Sequence, residues 1–261
     1  MLKTRLIPVL FIKNGLIVRS EDYSTHQIIG NVINEAKRYN DWNVDELMYI
    51  DISRDKHYDS NRDDHRVQAV HSLEEIVTRV SEVCFMPLTF GGGIRTLEQA
   101  EFLIRNGADK ITLNTAVQEN PDLVRQCVRK FGSQAVVVSV DYRKTDGGTA
   151  VFTNFGRTPA NTSVLEWVKE AEQLGAGEVM ISNIGFDGKS CGYDIPVIGE
   201  VVESTSLPVI AVSGAGDAYD FVDLAKETKV SAIAAGNWFH FVERSYPRAK
   251  ELLKKNNIHV R

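Results

Sequence analysis

The sequence predicts an α/β protein built as one (β/α)8 barrel, and three observations carry that reading. Short apolar runs alternate with amphipathic stretches from one end of the 261 residues to the other. Eight strand–helix units fit within that length, which is what such a barrel needs. No break in composition divides the chain, so a single domain over residues 1–261 is expected. An open doubly wound sheet is the structural alternative, although eight parallel strands without a break close naturally into a cylinder.

Taken in order, the elements read as follows. LIPVLFI (6–12) is the first strand, stopped by Lys-Asn-Gly at 13–15, and VINEAKRYN (32–40) is its helix. ELMYIDI (46–52) and MPLTF (86–90) are the second and third strands, with LEEIVTRVSEV (73–83) between them and LEQAEFLIRNG (97–107) after. KITLN (110–114) precedes PDLVRQCVRKFG (121–132), and AVVVSVD (135–141) precedes VLEWVKEAEQLG (164–175). EVMISNI (178–184), LPVIAVS (207–213) and VSAIAA (230–235) complete the strands; IPVIGEVVES (195–204), YDFVDLAKET (219–228) and YPRAKELLKK (246–255) complete the helices. The strands are near-continuous apolar runs, as strands covered on both faces should be. Pro121 suits a first helical turn, and Gly107, Gly132 and Gly175 suit the residue after a last one.

A faint internal repeat fits two half-barrels. PLTFGGGI (87–94) resembles PVIAVSGAG (208–216), ADKITLNTA (108–116) resembles VSAIAAGNW (230–238), and Asn114 follows Gly93 by the interval that separates Asn237 from Gly216. Chance likeness between generic strand–glycine turns remains open. One segment breaks the rhythm, an extended loop at about 53–71 after the second strand. It holds His57, His65 and His71 among Asp55, Asp59, Asp63 and Asp64. The spacing matches no standard ligand pattern, so a solvated polar loop is expected rather than a metal site.

Bulk properties exclude several classes. The formal charge of −5 argues against nucleic-acid or anionic-membrane partners. Three scattered cysteines without a CxxC pair suit a reducing compartment, no apolar run spans a bilayer, and the apolar stretch before Lys13 is short for a signal peptide, so the cytoplasm is expected.

Ligands of such barrels sit where strands end. Gly91-Gly92-Gly93 with Asn114 and Thr115, and Gly214-Ala215-Gly216 with Gly236 and Asn237, are two candidate phosphate cradles half a barrel apart. Glycines admit an anion to backbone N–H groups, and a following helix adds its dipole. Together they imply a ligand with two phosphate ends; a tight turn is the plainer reading of each alone. At the opposite end, period-two alternation puts Arg5, Glu46, Lys110 and Glu178 on the inward faces of four strands. Two cations and two anions can pair inside the barrel, where they would form a charged gate beneath a polar-lined axial path. Splaying into water below the barrel is the alternative. Phe11 occupies the inward position at the top of the first strand, where catalytic groups usually lie.

At these residues the chain resembles, over nearly its whole length, the cyclase subunit of imidazole glycerol phosphate synthase. DELMYIDI, FGGGI, GADKITLNTA, FGSQAVVVSVD and SGAG followed by AAGNWFHF carry the likeness. It implies a barrel whose bottom docks a glutaminase subunit. Ammonia released there would pass the gate of Arg5, Glu46, Lys110 and Glu178, and would attack a bisphosphorylated ribulosyl-formimino carboxamide ribonucleotide at the top. No cofactor is implied. Asp109 matches a glutaminase-contacting position, and Gly92, Asn114, Gly214 and Gly236 fall on phosphate-binding ones. Arg19 stands where the family has a lysine.

The family's chemistry rests on two carboxylates, one ending strand one and one ending strand five. Asp141 is the second; Phe11 replaces the first, and a phenyl ring cannot exchange a proton. Ser182 and Asp187 keep polar groups at the top, and Asp51 or Asp187 is the candidate substitute for the missing acid. Three functions follow. The chain is a diverged paralogue passing ammonia toward a sugar amidotransferase of surface-polysaccharide biosynthesis, with the 53–71 loop as added docking surface. Or it is a working cyclase subunit of histidine biosynthesis, or a non-enzymatic barrel that binds a bisphosphate.

Overall fold

The computed structural model describes residues 3–53, 58, 70–241 and 243–261. Most of the long loop at 53–71, with His57, His65 and the aspartates among them, therefore lies outside the described residues. Twelve strands are described: β1 (Arg5–Lys13), β2 (Leu16–Glu21), β3 (Thr25–Asn31), β4 (Leu47–Asp51), β5 (Leu88–Gly91), β6 (Lys110–Leu113), β7 (Val136–Thr145), β8 (Gly148–Thr153), β9 (Thr158–Ala160), β10 (Glu178–Asn183), β11 (Val209–Val212) and β12 (Ala232–Ala235). The helices are α1 (Val32–Asp41), α2 (Leu73–Ser81), α3 (Leu97–Arg105), α4 (Ala116–Glu119), α5 (Pro121–Phe131), α6 (Val164–Gln173), α7 (Ile195–Ser204), α8 (Ala218–Glu227), α9 (Trp238–Phe241) and α10 (Ser245–Lys255).

Eight of the strands pair in parallel in the order β1, β4, β5, β6, β7, β10, β11, β12, and β12 pairs back onto β1, so this ring of eight is closed. This is the closed (β/α)8 barrel expected from the alternation, and it removes the doubly wound alternative. The helices stop and start where local chemistry dictates. Thr96 with Gln99, Ser163 with Glu166 and Asp217 with Asp220 form capping boxes at α3, α6 and α8. Pro121 opens α5, and Gly132 ends it with a positive φ of 87°.

Two features depart from a plain barrel. β2 and β3 form a hairpin on β1 that folds over the top face, and β8 and β9 extend β7 outward. Among the described residues no helix is long and apolar enough to cross a membrane.

Two hydrophobic clusters follow from the closure. The larger lies between strands and helices, around Leu6, Leu10, Tyr49, Phe90, Val138 and Phe221. The smaller fills the barrel axis. α10 closes the ring from outside: the Tyr246 hydroxyl donates to the Leu6 carbonyl at 3.0 Å and accepts from the Asp45 N–H at 2.8 Å. Replacing Tyr246 by Phe leaves both buried backbone groups without that partner. The variant should lose about 1–3 kcal/mol, read as a lower midpoint in urea unfolding at unchanged slope.

Candidate functional site

The inward faces of β1, β6 and β10, with the residue preceding β4, converge at the bottom of the barrel. Arg5 reaches Glu46 at 2.7 Å and Glu178 at 3.1 Å, and the Lys110 ammonium reaches Glu46 at 3.0 Å and Glu178 at 3.1 Å. Thr89 donates a further bond to Glu46 at 2.9 Å. The four charges alternate around a closed square. They turn inward, not into the water below, because each would otherwise lose its partner. Glu46 is 2% exposed and the others only 14–15%, so the ring forms a floor across the axis. The two carboxylates raise the Arg5 guanidinium above its ordinary value, against the opposing effect of burial.

Above this floor the bore is not the polar-lined path that the alternation suggested. Ile7, Val9, Met48, Val137, Met180, Ile210, Ala232 and Ala234 form an apolar lining. The expectation followed the charged strands upward, but β11 and β12 contribute only aliphatic side chains. Hydroxyls are confined to one wall. Thr89 bonds the floor, the Ser139 hydroxyl donates to Asp141 at 2.8 Å, and between them the buried Thr112 hydroxyl has no hydrogen-bond partner.

At the mouth, Asp141 ends the inward face of β7, 8% exposed. Burial pushes its carboxyl up to about 6, against the Ser139 bond, and the charge of Asp187 adds to the rise. Phe11 faces it from β1, 6% exposed, with its ring edge-on to Tyr23 at 5.6 Å. Tyr23 sits at the tip of the β2–β3 hairpin with φ of 55°. Its N–H donates to Asp187 at 3.2 Å, and its phenol lies beside Ser182, which pairs with Ser213 at 3.0 Å. Burial and the charges of Asp141 and Asp187 push that phenol far up, so it stays protonated. Asp187 is likewise raised by burial. Lys189 binds Asp22 at 2.7 Å and helps hold the tip down.

The expected phosphate residues fall into two unlike sectors. Gly92 and Gly93 follow β5 with positive φ, and a Cβ on Gly92 would lie 1.9 Å from the Asp51 carbonyl, so only glycine fits. They line one cavity with Arg95, Thr112, Asn114, Thr115 and Asp141. In the other sector the Asn237 side chain donates to the Ser20 carbonyl at 2.7 Å, and the Gly216 N–H donates to Asp220 at 2.7 Å. Gly214 takes φ of 102°, and Gly236 lies against Phe11. Arg19 sits on the hairpin, half-buried, over the Phe241 ring and beside Glu21. Asp109 is exposed at the bottom, where its carboxylate accepts the Leu88 N–H at 2.8 Å. Asp51 is held by Tyr58 at 2.5 Å and by the Ser53 N–H at 2.9 Å. Both of its oxygens therefore have donors, and it is poorly placed to replace a missing acid. Among the described residues no group of His, Cys, Asp and Glu could hold a metal ion.

The model of the family described as histidine biosynthesis protein matches residues 5–245. The chain belongs to that family. Within it, the chain is 37% identical to imidazole glycerol phosphate synthase subunit HisF of Hydrogenobaculum sp. (strain Y04AAS1), covering all of both chains. It is 34% identical to the subunit of the same name from Alkaliphilus metalliredigens (strain QYMF), again over both full lengths. The Caulobacter vibrioides (strain NA1000 / CB15N) subunit is 35% identical, with 97% of its length covered. The likeness is thus to cyclase-type subunits within the histidine biosynthesis protein family. No comparison singles out relatives tied to glycan synthesis.

Sequence reasoning missed Tyr23, Arg95 and the Asp217–Asp220 pair. The hairpin was signalled by LIVRSE and THQIIGN, two β-prone runs around a polar turn. Asp217 three residues before Asp220, at the start of an apolar-periodic run, was a capping signal.

Two tests follow. Glu46→Gln leaves two buried cations sharing one anion, and should cost about 3 kcal/mol in denaturant unfolding. Asp141 has a folded pKa above its unfolded one, so its charge opposes folding above pH about 6, and the penalty fades as pH falls toward the unfolded value. Asp141→Asn should therefore stabilise the chain by about 2–3 kcal/mol at pH 8 and by little at pH 4. A gain independent of pH would refute the assignment.

Proposed function

We propose that this chain is a cyclase-type barrel subunit of a glutamine amidotransferase complex, accepting ammonia from a glutaminase at its bottom face, with the cyclisation chemistry lost. The observation that carries the reading is the pairing of a complete charged floor with a mouth where Phe11 and Tyr23 face Asp141. The bore suits neutral ammonia. An ammonium ion leaving the floor would enter an apolar lining at a desolvation cost of several kcal/mol, whereas ammonia carries no such charge. The Thr89–Thr112–Ser139 wall offers it hydrogen bonds on the way.

The top face supports the loss of cyclisation. General acid–base catalysis at a ring closure needs one group to take a proton and another to give one. Asp141 can serve as one of them. Phe11 cannot, Asp51 is committed to Tyr58, and Asp187 is committed to the hairpin. The acceptor proposed is a sugar of surface-polysaccharide biosynthesis, reached through a separate sugar amidotransferase; its support is that Phe11 stands where the resemblance expects the first catalytic carboxylate, so the ammonia has no cyclisation to feed.

A second reading, a working cyclase subunit of histidine biosynthesis, is favoured by full-length identity of 34–37% to subunits of that name. An ammonia-dependent cyclisation assay on the purified chain separates the two. The proposal expects turnover at or near background, with Phe11→Asp restoring about a hundredfold or more over the parent, the low end of what a positioned acid or base contributes. Robust turnover by the unaltered chain would reject the proposal in favour of the second reading.

A further inference from the structure

We infer that the head of the bore is a binding site for the ammonium ion, formed by the Asp141 carboxylate and the Thr112 hydroxyl inside a small cavity walled by apolar and aromatic side chains. The inference deepens the function proposed above, and rests on it for the arrival of ammonia from below.

The cavity has the size for such an ion. Asp141, Thr112 and Ser139 share about 60 Å³ of space with Tyr23 and Phe155. One water occupies about 10–15 Å³ measured in this way, so the cavity takes a few molecules no larger than that. Ammonium is of that size.

It also has the charge. Among the described residues, the charged groups around Asp141 are Asp51 of β4, Asp187 from the turn after β10, and Arg95 from the turn after β5. The Tyr23 phenol, on the hairpin, stays neutral. The Arg95 guanidinium is engaged by Glu119 and Asn154 at 2.8 Å each. Three carboxyl groups against one paired cation make a cavity that repels anions and attracts a cation. Ile50, Leu113 and Met180 supply apolar wall, and an ion pair is stronger in such surroundings than in water. The aromatic rings of Tyr23 and Phe155 favour a small cation further.

Finally, the cavity holds a polar group without a partner. Thr112 is 5% exposed, lines this space, and its buried hydroxyl makes no hydrogen bond. A buried hydroxyl left so is costly, and an ammonium N–H donated to its oxygen would satisfy it. A second N–H would serve Asp141, which accepts from the Ser139 hydroxyl at 2.8 Å.

Ammonia reaching this point takes the proton of the Asp141 carboxyl. One O–H bond breaks, one N–H bond forms, and an ammonium–carboxylate pair remains. Where the carboxyl is already ionised, ammonium joins the pair as such. The charged product cannot re-enter the bore, because Ile7, Val9, Met48, Val137 and Ile210 would strip its hydration and return nothing. Passage is thereby made one-way, with nitrogen held at the top.

The test is a magnetic-resonance titration of the full chain, isotope-labelled at its aspartate carboxyl carbons, with ammonium chloride. Tetramethylammonium chloride keeps the ionic strength constant. The Asp141 signal, assigned by its loss in Asp141→Asn, should respond saturably to ammonium and not to tetramethylammonium, which is bulky and has no N–H. Potassium, which donates no hydrogen bond, should bind about fivefold or more weakly. Affinity for ammonium should fall about tenfold from pH 8 to pH 5, where a carboxyl titrating at about 6 is only about one-tenth ionised. Thr112→Val should weaken ammonium by about five- to tenfold, while Thr112→Ser retains the parent affinity. No saturable response, potassium bound as tightly as ammonium, an affinity indifferent to pH, or one indifferent to Thr112→Val would each overturn the inference. None of these readouts involves a glutaminase or cyclisation. Failure to bind ammonium would leave the proposed function standing, while robust cyclase turnover would reject that function and leave a measured ammonium site in place.

Discussion

Charges inside a closed cylinder must be compensated where they stand, and that constraint organises the rest of this molecule. Arg5, Glu46, Lys110 and Glu178 cannot reach bulk water without leaving the strand faces that carry them. They satisfy one another in a square that neutralises the floor. Neutralisation in turn permits an apolar bore directly above, since no net field has to be screened by water in the axis. A floor with one charge missing would pull solvent upward or unfold locally.

The mouth obeys the same rule with a different outcome. Asp141 is buried beside the charge of Asp187, so its carboxyl is pushed up to about 6 against the bond from Ser139. Phe11 brings no charge to this crowded region, and Tyr23 fills the space with a neutral ring and a protonated phenol. Aromatic packing at the rim and charge pairing at the base are two answers to one electrostatic problem. At this end a cavity opens beside Arg95 and Thr112, while Asn237 is tied to the hairpin at Ser20.

Much of this was legible in the residues. Eight apolar runs alternating with amphipathic stretches foretold the barrel, and period-two counting from Asn114 back to Lys110, or from Ser182 back to Glu178, put the floor residues on inward faces. The same counting misjudged the bore, because it followed the strands with polar tops and ignored β11 and β12, where VIAV and AIAA leave only methyl groups facing in. Nor could glycine patterns separate the two cradles. GGG and GAG look alike in one dimension, and what distinguishes them is a carboxylate four positions beyond Gly216 against an amide four positions beyond Arg95. The role of Tyr23 was hidden because it depends on where a hairpin lands, a tertiary fact that local pattern does not encode.

The clasp made by Tyr246 has a consequence for how the molecule is born. Its hydroxyl fastens α10 to Leu6 and Asp45, the immediate neighbours of Arg5 and Glu46, and Thr4 bridges to Val260. A nascent polypeptide threading from the ribosome holds every acid and base of the floor long before α10 emerges, yet lacks the strap that sets two of them in register. Until α10 has emerged, the lower end of the cylinder lacks that strap, and a partner that recognises the finished floor must wait for it.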